Sequence, residues 1–244
     1  MLELKNIGFK VEDAEKGGAL EIIEDVSFTL DDGKFLVITG PNGGGKSTLA
    51  KLIMGIEKPT AGRILLDGTD ITDMSITERA QRGVSFAFQQ PVRFKGICVK
   101  DLLRLASGKT LSISEACEYL SEVGLCARDY IDREINASLS GGELKRIEIA
   151  TLLARNTGLS VFDEPEAGID LWSFQNLIRI FEKMRGEISE RSIVIISHQE
   201  RILQIADEIV VLAEGRIARR GAAAEILPEL TGAAAPESSC YKLG

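Results

Sequence analysis

Three short apolar runs occur along the chain, and each one leads directly into small or polar residues. FLVIT (35–39) precedes a glycine-rich stretch, LSVFD (159–163) ends in an acidic pair, and SIVIIS (192–197) precedes His198. Continuous β-branched runs of this length, separated by helical stretches, are typical of buried parallel strands. Ligands bind at the carboxyl ends of such strands. The pattern predicts an α/β fold with a parallel-sheet core and one site at that edge.

The remaining pattern predicts two further parts around this core. LELKNIGFKV, ALEIIEDVSFTL and GRILLDG read as strands and favour an antiparallel β subdomain near the N-terminus. The stretch before residue 145 is mostly helical, with a capping box at Ser112 and Glu115. We expect one domain over residues 1–228, with its core at about 1–90 and 146–228 and an inserted helical subdomain at about 91–145. The small, polar tail 229–244 is predicted to be flexible.

Composition and charge narrow the classes of partner. The net charge of −8 and the pI of about 5.0 argue against a nucleic-acid surface, which needs clustered Lys and Arg. No run of 18 apolar residues occurs, and the N-terminus does not read as a signal peptide, so we expect no direct membrane insertion. The four cysteines match no zinc pattern and are interpreted as scattered thiols. These features predict a cytoplasmic protein.

The stretch GPNGGGKST follows the first apolar run and fits the pattern G-x-x-x-x-G-K-[ST]. Its glycines allow backbone N–H groups to point at phosphate oxygens, and the following helix adds its positive end. Lys46 is predicted to reach the β- and γ-phosphates, and the Ser47 hydroxyl to bind Mg²⁺. The predicted nucleotide-binding residues here are Gly40, Pro41, Asn42, Gly43, Gly44, Gly45, Lys46, Ser47 and Thr48.

Two other strand ends carry candidate catalytic groups. Asp163 can orient Mg²⁺ and Glu164 can polarise an attacking water, although an acidic pair at a strand end can also simply cap a turn. His198 can contact the γ-phosphate or hold the water, although a lone histidine is more often a packing residue. The phosphate loop upstream favours the functional interpretation of all three residues.

A second glycine turn, LSGGE at 139–143, opens another helical run. Ser140, Gly141 and Gly142 therefore form a second candidate anion site at a helix N-terminus. Together, GPNGGGKST, LSGGE, the strand ending in DE and the downstream histidine resemble the ATP-binding cassette ATPases over about residues 1–228. The resemblance implies a P-loop, RecA-like core that binds ATP and Mg²⁺. It also implies a head-to-tail dimer with a second copy, in which each LSGG turn closes over the nucleotide of the other copy.

The resemblance also assigns roles to individual residues. Gln89, next to Gln90, looks like the glutamine that senses Mg²⁺ and γ-phosphate, and Asp170 looks like the aspartate that communicates between cassettes. The family usually stacks an aromatic ring on adenine; here Val11 stands where a tyrosine is common, with Phe9 two residues earlier. A serine that is common in the family's phosphate loop is Gly44 here, and we expect either residue to suit the loop.

Within the family, several stretches resemble SufC, the ATPase of Suf-type iron–sulfur cluster assembly. They are VED, SITERA, FAFQQPV, LSGGELKR and SHQERIL. This resemblance implies a SufB/SufD-type scaffold as partner, and the alternative is the ATP-binding subunit of a membrane transporter. Cassette ATPases of DNA repair or translation carry coiled coils, zinc modules or two cassettes in one chain, features that are not seen here. The implied mechanism has Glu164 activating water, with His198 and Gln89 fixing geometry and charge.

Overall fold

A computed structural model of the protein describes residues 1–13, 18–136, 138–186 and 191–232. Its centre is a six-stranded sheet with the order β10–β9–β3–β8–β7–β6, in which neighbouring strands are parallel except for the β10–β9 pair. The strands are β3 (Phe35–Thr39), β6 (Val84–Ala87), β7 (Leu159–Asp163), β8 (Ser192–Ile196), β9 (Glu208–Ala213) and β10 (Arg216–Ala222). The three apolar runs are therefore parallel strands, as predicted.

The parallel strands are mainly apolar because both faces of the sheet are covered. In β3, Phe35 and Val37 pack on one side while Leu36 and Ile38 pack on the other, since successive side chains point to opposite faces. The side of Leu36 and Ile38 faces a second sheet, and the side of Phe35 and Val37 faces helices. The first sheet thus separates two apolar cores and holds its strand ends rigidly.

The second sheet is antiparallel, as the N-terminal pattern predicts. Its order is β2–β1–β4–β5, and its strands are β1 (Leu2–Asp13), β2 (Gly18–Leu30), β4 (Ala61–Leu66) and β5 (Thr69–Asp70). The β1–β2 pairing brings Ile22 and Ile23 of β2 next to the glycine loop that follows β3.

The helices occupy both sides of the central sheet, and the long segment after residue 91 supplies several of them. The helices are α1 (Lys46–Met54), α2 (Ile76–Gln81), α3 (Val99–Ser107), α4 (Ile113–Glu122), α5 (Ala127–Tyr130), α6 (Gly141–Arg155), α7 (Leu171–Gly186), α8 (Glu200–Gln204) and α9 (Ala223–Leu230). The predicted capping box of α4 is present, because Ser112 and Glu115 exchange side-chain to backbone hydrogen bonds. No helix in the described part of the chain is both long and apolar enough to cross a membrane.

Two of the predicted boundaries fall inside helices, and the division into a core and a helical subdomain stays a prediction. Helix α6 runs without a break through residues 145 and 146, where we placed the end of the helical subdomain. The start of the helix is polar, and its remainder packs in the core. Helix α9 continues through Pro228 to Leu230, two residues into the predicted tail, because Ile226 anchors it in the core. Residues 233–244 of that tail lie outside the described residues.

Candidate functional site

The glycine loop lies between the end of β3 and the start of α1, directly against the backbone of β9. Gly40 has a φ of 133°, and a Cβ placed on it would lie 2.0 Å from the carbonyl oxygen of Leu212. A Cβ at Gly44 would lie 2.8 Å from the same oxygen and 3.0 Å from the carbonyl oxygen of Pro41. A serine at position 44, which we expected to suit the loop equally well, would therefore require the loop or β9 to shift.

Lys46 and the start of α1 complete a cradle for an anion. The Lys46 side chain is 6% exposed, and its Nζ donates to the carbonyl oxygens of Gly40 and Pro41, both at 2.9 Å. Gly45 precedes α1 in the left-handed conformation, and no side chain caps this helix end in the described part of the chain. The first-turn N–H groups therefore have no competing side-chain acceptor, an arrangement that fits a phosphate group.

Ser47 and Asp163 bring two oxygens together at the neighbouring strand end. The Ser47 Oγ donates to Asp163 Oδ1 at 3.1 Å. Burial raises the pKa of Asp163, while the hydrogen bond from Ser47 opposes that rise. Both residues line a cavity of about 230 Å³ that Gln89 and Gln90 also line. Mg²⁺ prefers oxygen ligands and retains several waters, so this oxygen pair beside an open cavity fits Mg²⁺.

Glu164 and Gln89 meet across the strand ends of β7 and β6. The Gln89 Nε2 donates to Glu164 Oε2 at 2.6 Å. Glu164 has a φ of 45°, and its N–H donates to the carbonyl oxygen of Ile196 at 3.0 Å. A non-glycine residue in this conformation is uncommon, and such residues concentrate at functional sites. The bond to β8 thus holds Glu164 at the edge of the sheet.

His198 follows β8 and belongs to the same group of charges. Partial burial and the Lys46 ammonium lower the pKa of His198, while Glu164 opposes this effect. A lowered pKa leaves the imidazole neutral at neutral pH, with one nitrogen as donor and the other as acceptor. The three strand ends predicted from the sequence thus meet at one edge and combine with Gln89.

The second glycine turn has different surroundings. Ser140 caps α6: its Oγ accepts from the Glu143 N–H at 3.3 Å, and its own N–H donates to Glu143 Oε2 at 2.7 Å. Ser140 and Gly141 are exposed, and a Cβ on Gly141 would have no atom within 4 Å. Among the described residues, no hydrogen bond or ion pair joins Ser140, Gly141 or Gly142 to residues 40–48. The chain therefore does not bring its two glycine turns together.

The remaining predicted positions have clear local surroundings. The Asp170 carboxylate accepts from the N–H and the Oγ of Ser173 at 3.0 and 2.7 Å, so it supports the first turn of α7. Phe9 is 9% exposed and belongs to the core between the sheets, so it is not available to stack on adenine. Val11 is exposed and pairs across β1–β2 with Leu20, which is also exposed.

Three residues near the site were not found from the sequence. Leu212 closes the glycine loop through its backbone, and no sequence pattern identifies a residue that acts through its carbonyl group. Lys145 and Glu148 on α6 contact the backbone of Phe88, the residue before Gln89. The sequence feature that could have identified them is their place on the face of α6 that buries Leu144 and Ile147. Charged residues rarely lie on such a face without a partner.

Comparisons with known proteins agree with this geometry. Residues 23–167 match a family model described as ABC transporter. An uncharacterized ABC transporter ATP-binding protein of Methanocaldococcus jannaschii is 39% identical over 226 residues, covering 89% of this chain and 90% of that protein. A probable ATP-dependent transporter of Cyanophora paradoxa is 33% identical, covering 94% of this chain and 91% of that protein.

The fold comparison gives the same class. A bacterial ABC transporter cassette, solved as a dimer, superposes with a TM-score of 0.82 at 24% identity, covering 91% of this chain and 99% of that chain. The fold and the glycine loop define a P-loop nucleotide-binding protein with a cassette architecture. The chain belongs to the ABC transporter family, and it is an ABC ATPase.

Proposed function

We propose that the chain hydrolyses Mg-ATP as one half of a head-to-tail pair of cassettes. The observation that carries this proposal is the difference between the two glycine turns. The loop at Gly40–Ser47 is complete within the chain, whereas the turn at Ser140–Gly142 is an exposed helix start with no partner in the 40–48 loop. A second copy would supply the missing half of each site.

Each side chain of the site has a separate role in the proposed hydrolysis. Lys46 and the N–H groups of the loop bind the phosphates, and the Glu164 carboxylate takes a proton from the attacking water. Gln89 orients Glu164 through their hydrogen bond, and neutral His198 donates to the γ-phosphate. Ser47, Asp163 and Gln89 would hold Mg²⁺, which supplies charge neutralisation at the phosphates when bound. In the pair, Gly141 and Gly142 add N–H donors, Ser140 adds its side-chain hydroxyl, and Asp170 lies at the junction.

A partner protein is expected beside Gln89. An apolar cavity of about 170 Å³ lies between the 88–94 loop and helices α3 and α6. Phe88, Val92 and Phe94 line it and are 40%, 46% and 36% exposed, a concentration of apolar surface that is typical of an interaction site. Because this loop also carries Gln89, a bound partner would act on the catalytic geometry.

The relatives' names favour a membrane transporter as this partner. The proteins of M. jannaschii and C. paradoxa carry transporter names, and a further relative, 31% identical over 91% of this chain, is a sulfate/thiosulfate import ATP-binding protein of Synechococcus elongatus. The second candidate is a SufB/SufD-type scaffold, and it rests on the local stretches SITERA, FAFQQPV, LSGGELKR and SHQERIL. The transporter subunit is the better supported of the two.

Affinity purification of the tagged chain from its native cells, under anaerobic conditions, separates these candidates. The soluble fraction and detergent-extracted membranes are processed in parallel, with Phe94→Asp as the variant that removes the apolar surface. Exposed Leu105, which does not line the cavity, gives the matched control Leu105→Asp. A partner with many membrane spans that is lost only with Phe94→Asp supports the transporter. A brown soluble partner containing iron and sulfide supports the scaffold instead, and retention of either partner by Phe94→Asp contradicts the docking surface.

A further inference from the structure

Helix α6 carries two charged side chains that are largely shielded from solvent, one and two turns after the second glycine turn. Lys145 is fully buried, and Glu148, three residues later on the same helix, is 14% exposed. Their Nζ and Oε2 atoms lie 3.3 Å apart. Burying an ion pair costs desolvation energy, and apolar residues of similar volume are often as stable or more so. Fold stability alone therefore does not explain this pair.

The pair has a second set of contacts, and all of them go to one residue. The Phe88 N–H donates to Glu148 Oε1 at 3.0 Å, and Lys145 Nζ donates to the carbonyl oxygen of Phe88. Both backbone hydrogen-bonding groups of Phe88 are thus held by side chains of α6. We call Lys145 and Glu148 the clamp on Phe88. The Phe88 ring is packed edge-on against Phe86 of β6, with ring centroids 4.8 Å apart.

A small movement of Phe88 would change the position of Gln89 in the candidate site. Phe88 directly precedes Gln89, whose side chain is bonded to Glu164 at 2.6 Å. Helix α6, which carries the clamp, begins at Ser140–Gly142. In the proposed pair, this turn meets the nucleotide of the second copy. A helix is stiff over this length, so a shift at its start is carried to Lys145 and Glu148.

We propose that Lys145 and Glu148 are positioning residues that couple the turn at Ser140–Gly142 to Gln89 of the same copy. Engagement of the turn by the second copy's ATP moves α6, and the clamp carries Phe88 and Gln89 with it. Each catalytic site then senses whether its neighbour is loaded. This inference rests on the proposed function, because it needs the head-to-tail pair for its signal.

The charges of Lys145 and Glu148 compensate each other, as expected for a pair whose role is to position Phe88. Burial raises the pKa of Glu148, while Lys145 and the Phe88 N–H lower it. Removing one member would leave the other charge buried without compensation, which is strongly destabilising. The informative change is therefore the double substitution Lys145→Met with Glu148→Leu, which removes both charges and keeps similar volumes.

The test compares this double variant with the parent chain in four measurements: thermal unfolding, nucleotide binding, steady-state hydrolysis and hydrogen exchange. We expect an unchanged or higher Tm, and nucleotide binding within about twofold of the parent. We expect kcat to fall by about 10- to 100-fold, because Gln89 loses its position. The Hill coefficient for ATP is expected to fall to about 1, because the two sites lose their connection. Exchange of the Phe88 amide should become faster.

The double substitution Lys145→Gln with Glu148→Gln provides the conservative control, because it also removes both charges. A glutamine at position 148 still accepts from the Phe88 N–H, so this control should keep Phe88 protected and retain more cooperativity than the variant with Lys145→Met and Glu148→Leu. A parent-like kcat and Hill coefficient in the latter variant would overturn the coupling. Unchanged exchange at Phe88 in that variant would overturn the clamp itself, and this measurement does not need hydrolysis. Failure of the parent to hydrolyse ATP would instead contradict the proposed function.

Discussion

The two glycine turns of this chain begin helices in the same way but differ in what surrounds them. At Gly40 and Gly44 the backbone of β9 lies so close that any Cβ would overlap it, and Lys46 is folded back onto the loop. At Gly141 there is open space, and the helix start is exposed. The first turn is enclosed within the chain, whereas the second is an exposed surface that, in the proposed pair, meets the nucleotide of the second copy.

The two helices also differ in the hydrogen bonds made by the N–H groups of their first turns. Among the described residues no side chain caps α1, so its first N–H groups have no side-chain acceptor there. Helix α6 has a full capping box between Ser140 and Glu143, and Tyr130 donates to Glu143 as well. The first arrangement leaves N–H groups available to a phosphate, whereas the capping box of the second satisfies part of its helix start within the chain.

Gly40→Ala should have the largest effect, because it places a Cβ 2.0 Å from the Leu212 carbonyl oxygen and strains a φ of 133°. We expect a loss of about 2–6 kcal/mol in the free energy of unfolding and loss of nucleotide binding. Denaturant unfolding and a nucleotide titration measure both quantities. Gly68→Ala is the matched control, since Gly68 also has a positive φ but open space. Similar losses in both variants would mean that the contact with β9 is unimportant.

Glu164→Gln tests the state in which the two turns face each other. We expect hydrolysis to fall by about 10²–10⁴-fold, because the amide cannot take the proton of water, while nucleotide binding is retained. The closed pair should then accumulate, and size-exclusion chromatography with light scattering in Mg-ATP should show a dimer. An ATP-bound monomer in this variant would contradict the head-to-tail arrangement.

Gly141→Glu tests the second turn by placing a negative charge where the neighbour's phosphate is expected. We expect unchanged unfolding and unchanged nucleotide binding by the isolated chain, because a Cβ at Gly141 meets no atom within 4 Å. Hydrolysis should fall by about 10- to 100-fold through repulsion of the second copy's ATP. Ser114→Glu, in the first turn of α4, adds the same charge at an exposed position away from the turn. Equal hydrolysis by the two variants would remove the turn from the mechanism.

Glu143→Gln should have the smallest effect, and it depends on pH. Hydrogen bonds from Tyr130 and Ser140 lower the pKa of Glu143 from 4.5 to about 2. A lowered folded-state pKa contributes stability above pH 4.5 that is lost as the pH falls toward 2. The variant should therefore be less stable than the parent by about 1 kcal/mol at neutral pH, and the difference should shrink on acidification. Urea unfolding at pH 7 and at about pH 3.5 measures it; a constant difference would exclude ionised Glu143 as its cause.

The fold could be predicted from the sequence because its signals are local. Apolar runs covered on both faces identified β3, β7 and β8, and alternation identified the antiparallel strands. The extent of α6 could not be predicted, because it depends on the distant residues that pack along the helix. The same limit applied to α9, whose Ile226 is held by the distant core.

The sequence by itself predicted the candidate residues of the site: a glycine loop with Lys46 and Ser47, an acidic pair and a histidine at three strand ends. Those assignments follow from residue type, spacing and the rule that parallel strands share a carboxyl edge. Only the tertiary structure decided that a side chain at position 44 would require the backbone to shift, that Phe9 is core, and that Lys145 and Glu148 hold Phe88. These contacts join residues far apart in sequence through backbone groups, which every residue carries and no sequence pattern reveals.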